Sequence, residues 1–278
     1  MRKLVLLLAF VFVLVQFLSS QEILLRYQPE KGKKFAYSFS TDGTITQTVM
    51  GVEQTINLNT KMTIHYLVQN IASNGNVELI ISVDTIETRM KTQVLQMDTT
   101  LILPVGFKFR QVIDKFGRGV SFEILEIKQQ RLLSGFGENL DKRQYTHAVI
   151  FPERKIKPND SWNFSYADTT ISDEGQAIVK TSGKYTFEGI ETVNQIRCAR
   201  LKVDANFAIS GQGTIQGMKY GLEGEGKNVG TLWVDLGTGI VVRSDTNAEI
   251  ETAMGIKGQI EMTLPMSQRM RTVLNLIR

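Results

Sequence analysis

Alternation of apolar and polar residues, sustained over long runs, constrains this chain more than any other feature. Leu201, Val203, Ala205, Phe207 and Ile209 alternate without a break. Met50, Val52, Ile56, Leu58, Met62, Ile64 and Tyr66 keep one phase. Val77, Leu79, Ile81 and Val83 take up another after the turn cluster Ala72 to Asn76. A period of two puts each set on one face of a strand, which is the pattern of antiparallel sheets buried on one side and wet on the other. Thr44, Thr46, Thr48, Thr55 and Thr63 fall between the apolar positions and suit the solvated face. The predicted fold is therefore all-β with minor α: long, curved antiparallel strands in a half-barrel-like arrangement.

One segment breaks the period. From Glu123 to Leu133 the residues Ile124, Leu125, Ile127, Leu132 and Leu133 fit helix spacing better than alternation, and Gly135 and Gly137 would end that helix. A second helical piece is expected from Asn139 to about His147. Residues 123–150 thus read as a helical connector between a first β-rich half, 21–122, and a second, 151–278.

Landmarks recur in the same order on both sides of that connector. The hairpin from Gly230 to Asp245 carries Asp235, Gly237 and Gly239, and Val112 to Val120 carries Asp114, Gly117 and Gly119. Phe151 to Trp162, a proline-containing polar turn running into an aromatic strand, parallels Tyr27 to Phe35. Tyr185 to Asp204 loosely matches Ile64 to Asp84. Three matched landmarks predict an internal duplication, two related halves.

The N-terminus has Arg2 and Lys3, an apolar run from Leu4 to Leu18, then Ser19 and Ser20. A run of about 15 residues is short for a membrane span of about 20, so residues 1–20 read as a secretory signal peptide cleaved near Ser20. A retained N-terminal anchor is the rival. No cysteine follows the run, which rules out a lipid-modified N-terminal Cys. The expected mature protein is exported, periplasmic or extracellular, and soluble. A transmembrane barrel also alternates, but the chain ends without a terminal aromatic and has too few aromatics for two girdles.

The net charge is +4, and removing Arg2 and Lys3 with the signal leaves +2. So mild a charge, with Lys and Arg dispersed among Asp and Glu, gives no reason to expect a nucleic-acid partner. The single cysteine, Cys198, cannot form an internal disulfide, so the fold must rest on its core.

No chemistry-bearing set stands out. Gly221 to Asn228 nearly fits a phosphate loop, but Asn228 occupies the Ser/Thr position and a strand follows where a helix is required. Gly211 to Gly217 fails as a dinucleotide fingerprint for the same reason. Two isolated histidines, His65 and His147, and one cysteine make no zinc cluster and no Cys–His pair. No enzyme, cofactor or metal is expected.

The Pro152 to Trp162 junction, Pro-x-x-x-x-x-Pro-x-Asp-Ser-Trp, and the Gly230 to Asp235 strand resemble those of an uncharacterised family of exported bacterial β-rich proteins. Phe151 and Asn159 stand where that family has Leu and Gly. The resemblance implies a signal peptide and a β-rich body, and supplies no catalytic residues. By architecture only, a curved sheet with a helical connector resembles the periplasmic lipoprotein carriers of the LolA type.

The alternation, the abundant methionines and that likeness favour a non-catalytic binder of apolar material, a lipid or acyl chain, in the concavity of the sheet. Met50, Met62, Ile64, Tyr66, Phe207 and Met262 are its candidate lining. The alternative is a structural or protein-binding module of the cell envelope with a filled core and an envelope protein as partner.

Overall fold

The computed structural model describes residues 22–49, 51–92, 97–127, 149–172, 175–215, 217–258 and 261–277. The expected signal peptide, residues 128–148 of the expected connector and Met50 lie outside these.

Among the described residues eleven strands form one antiparallel sheet. They are β1 (Lys34–Val49), β2 (Val52–Ile71), β3 (Val77–Thr92), β4 (Met97–Ile113), β5 (Gly119–Ile127), β6 (Ser161–Ser172), β7 (Gly175–Val193), β8 (Ile196–Ile215), β9 (Met218–Asp235), β10 (Val241–Lys257) and β11 (Met262–Ile277). Their spatial order is β5-β4-β3-β2-β1-β11-β10-β9-β8-β7-β6. Each flank is a simple meander, and the pairing of β1 with β11 joins them in continuous register from Ala36–Ile277 to Gln47–Met266. The two expected halves thus share one uninterrupted sheet. Strands of up to 20 residues, β2 and β8, span about 65 Å.

The alternation lands where the sequence put it, with one phase facing the core. Ile64, Tyr66, Val68, Leu79, Ile81, Leu201, Val203 and Ala205 are buried, while His65 is exposed. The connector needs correction at its start: Glu123–Ile127 is strand, not helix. β5 pairs Phe109 with Ile124 and Lys108 with Glu126, so Leu125 is an extra residue bulging from the ladder. That bulge shifts the phase of the apolar residues and imitates helical spacing. Among the described residues there is no helix.

The sheet is strongly curled at one end. Tyr27 N–H donates to Lys115 O in the β4–β5 turn, and the next residue, Gln28, donates to Thr238 O in the β9–β10 turn, both at 2.8 Å. In a flat sheet six interstrand steps would hold those turns about 29 Å apart. Neighbouring residues of one segment reach both, so the flanks must bend toward each other. Residues 149–160 continue the closure. Phe151 N–H donates to Phe116 O, Ile156 and Ile23 exchange hydrogen bonds, and Asn159 N–H donates to Phe187 O. Leu25, Tyr27, Val149, Phe151 and Ile156 are buried in this plug. Gly239, at φ +73°, is needed here because a Cβ would run into the Arg26 carbonyl. The base of the half-barrel is stoppered, and the far ends of the strands rise beyond it.

Candidate functional site: the wall above the core

Two segments plug the base, so strand positions near it are filled. Phe35 stacks on Tyr66 at 4.9 Å between ring centroids, and Tyr37 meets Tyr66 edge-on at 5.4 Å. Burial pushes the phenols of Tyr27, Tyr37 and Tyr66 upward, so all three stay neutral.

Above this plug the same face carries a row of five threonines. The register aligns Thr88, Thr60, Thr41, Thr272 and Thr246 across β3, β2, β1, β11 and β10. The Thr41 and Thr272 hydroxyls are 3.0 Å apart, and those of Thr60 and Thr88 3.1 Å. The next row up is Met90, Leu58, Gly43, Met270 and Ala248, followed by Thr92, Ile56, Ile45, Gln268 and Ile250. Leu58, Met90, Met270, Ile56, Ile45 and Ile250 are only half-buried. Gly43 leaves room for Met270, whose Cγ would lie 3.0 Å from an added Cβ. The opposite face is charged. Lys61, Glu87, Arg89, Glu225, Lys227, Glu249, Glu251, Arg269 and Arg271 are exposed, and cross-strand pairs such as Arg271–Asp245 at 2.8 Å tie it together.

On the β6–β11 flank the wall is hollow. A cavity of about 240 Å³ is lined by Phe39, Ile150, Phe164, Tyr166, Thr181, Tyr185, Phe207, Asn228, Thr246 and Thr272, among others. Small residues occupy core-facing positions beside it: Gly183 on β7, Ala205 on β8, and Gly226 and Gly230 on β9. A Cβ on Gly226 would approach Glu249 O to 2.7 Å, and one on Gly230 would strike Asp245 O. These glycines let β9 and β10 pack closely, which is their role here. Gly224 and Gly226, part of the near phosphate loop, sit in mid-strand on β9. Residues 149–150 close one side, where Trp162 Nε1 donates to Ile150 O at 2.7 Å.

Of the expected lining residues, Met62, Ile64, Tyr66, Phe207 and Met262 share the core-facing phase through the register. They are not brought together. Ile64 and Tyr66 are buried in the filled base, Met62 packs against that core, Phe207 borders the cavity, and Met262 stands near the open ends. Met50 lies outside the described residues. Sequence reasoning missed the threonine row, Asn228, Leu58, Met90 and Met270 as wall residues. A threonine falling in the apolar phase, as Thr60 does, was the available signal. Among the described residues no group of three His, Cys, Asp or Glu side chains could hold a metal ion.

With this geometry in view, comparison with known proteins is informative at one point. Residues 109–241 match the model of DUF6263, a family of unknown function. The matched range runs from β4 to the start of β10, and so takes in the Phe151–Trp162 junction and most of the cavity flank. It agrees with the resemblance to an uncharacterised family. No curated protein matches the chain. Among solved structures, Pseudomonas aeruginosa OccK5 (OpdH) aligns over 89% of this chain and 99% of its own, at 4% identity and a TM-score of 0.28. OpdQ of the same species aligns over 88% and 99%, at 7% identity and a TM-score of 0.24. A DUF1329 family protein from Desulfovibrio piger aligns over 87% and 84%, at 10% identity and a TM-score of 0.12. Superpositions this loose carry no argument about fold or function.

Proposed function

We infer that this protein is an exported, non-catalytic binder of apolar material, a lipid or acyl chain held against the inner wall of the half-barrel. The observation that carries this reading is the half-buried apolar wall above the threonine row. Leu58, Met90, Met270, Ile45, Ile56 and Ile250 rise beyond the filled base on a face whose reverse is charged. Folding alone gives no reason to keep so much apolar surface only half-covered. Methionines on such a wall adapt to differently shaped chains. The polarity is the inverse of a membrane barrel, whose outer face is apolar, and this favours a protein that works in water. The signal-like residues 1–20 support export, and the recurrence of landmarks supports two related halves.

The test is native mass spectrometry with lipid extraction on the mature chain, followed by titration with a fluorescent fatty acyl probe. Saturable binding that weakens at least about tenfold in Met270→Asp is expected, since a carboxylate buried against an acyl chain is strongly unfavourable. A wild-type protein that carries no lipid and binds no probe sinks the reading. It leaves the envelope-module alternative, which the filled base around Ile64 and Tyr66 favours.

A further inference from the structure

The cavity on the β6–β11 flank has a chemistry distinct from the wall above it, and that chemistry selects among amphipaths. We propose that it receives the uncharged, hydroxyl-bearing head of a neutral lipid of the monoacylglycerol class, whose chain then lies up the apolar wall. This rests on the apolar-binder reading and specifies its ligand.

Three observations converge. First, Asn228 Oδ1 is buried at the cavity with no hydrogen-bond partner among the described residues. A buried acceptor left unsatisfied is unfavourable, and a ligand hydroxyl can donate to it, whereas a carboxylate or phosphodiester is acceptor-only. Second, among the described residues no Lys, Arg or His lines the cavity to neutralise an anion. Burial raises the Tyr166 and Tyr185 phenols, so both stay protonated. The charge that does act on Tyr166 is negative, that of Asp168, which would repel an anionic head. Third, about 240 Å³ is smaller than a whole-ligand pocket of roughly 300–1,000 Å³, so only a head and its first carbons fit. Phe207 forms part of the lining, and Ile209 follows it on the same face of β8, giving the chain an apolar way out.

The experiment uses the mature chain and a neutral naphthylamine dye displaced in parallel by monoolein, methyl oleate and oleate. Expected is monoolein displacing at a concentration at least about tenfold below oleate, with methyl oleate between them, because burying an unpaired carboxylate is costly and the ester lacks the donor. In Asn228→Leu, checked for folding by circular dichroism, the monoolein advantage over methyl oleate should disappear. Oleate displacing as well as monoolein overturns the proposal, as does monoolein no better than methyl oleate or an advantage unchanged in Asn228→Leu. Equal displacement by all three removes this inference while leaving the apolar-binder reading intact. A protein that takes up neither dye nor lipid removes both. The wild-type comparison decides the matter even if the variant fails to fold.

Discussion

Single residues here have separable tasks, and two give direct tests. Asp245 accepts from Arg271 Nε at 3.0 Å and from Nη2 at 2.8 Å, and the Arg271 guanidinium, with Arg243 nearby, holds its carboxyl below the usual range. A depressed carboxyl contributes stability that is present above its unfolded value near pH 4 and is lost as pH falls through the folded one. Asp245→Asn should therefore lower stability at pH 7 by no more than about 1 kcal/mol, since Arg271 is largely exposed, and by less near pH 2. Urea midpoints at the two pH values check this. Cys198 is buried, and desolvation first, with Asp235 and Glu191 adding to it, pushes its thiol up to about 11. At pH 8 a thiol reagent should leave the native protein unmodified and label it fully in urea, measured by mass shift.

At the level of elements, sequence was most informative where strands are regular. The alternating runs gave the strands, the buried face and the exposure of His65, because a period of two is a local property. Register is not local. Thr41, Thr60, Thr88, Thr246 and Thr272 are unremarkable in the sequence and become a row only when five strands align. The same limit scattered the proposed lining: Ile64 and Tyr66 share a face with Met262 but stand far from it along the strands. At β5, one bulged leucine was enough to turn a strand into an expected helix. The turns offer a sharp check. Gly239→Ala combines a positive φ with a collision at the Arg26 carbonyl. It should lower stability by about 1–3 kcal/mol, whereas Gly237→Ala, with only the Asp235 carboxylate at 3.5 Å, should cost less. Thermal midpoints of the two variants, measured side by side, give the comparison.

Taken as a whole, the molecule depends on a short N-terminal segment that touches both flanks. Leu25 is buried where that segment crosses the base, and Leu25→Ala should lower stability by about 2–5 kcal/mol. If the plug were a separate, loosely held piece, the variant would show two unfolding transitions by calorimetry instead of one shifted transition. The seam between β1 and β11 has a consequence in time rather than space. As the chain emerges from N-terminus to C-terminus, β1 has β2 beside it early, but its other neighbour, β11, is the last of the eleven described strands to appear. Until residues 262–277 arrive, a 16-residue strand edge waits open, the kind of edge that recruits other chains. On this wiring the sheet cannot close across β1 until β11 is available, so completion of the fold is timed by residues 262–277.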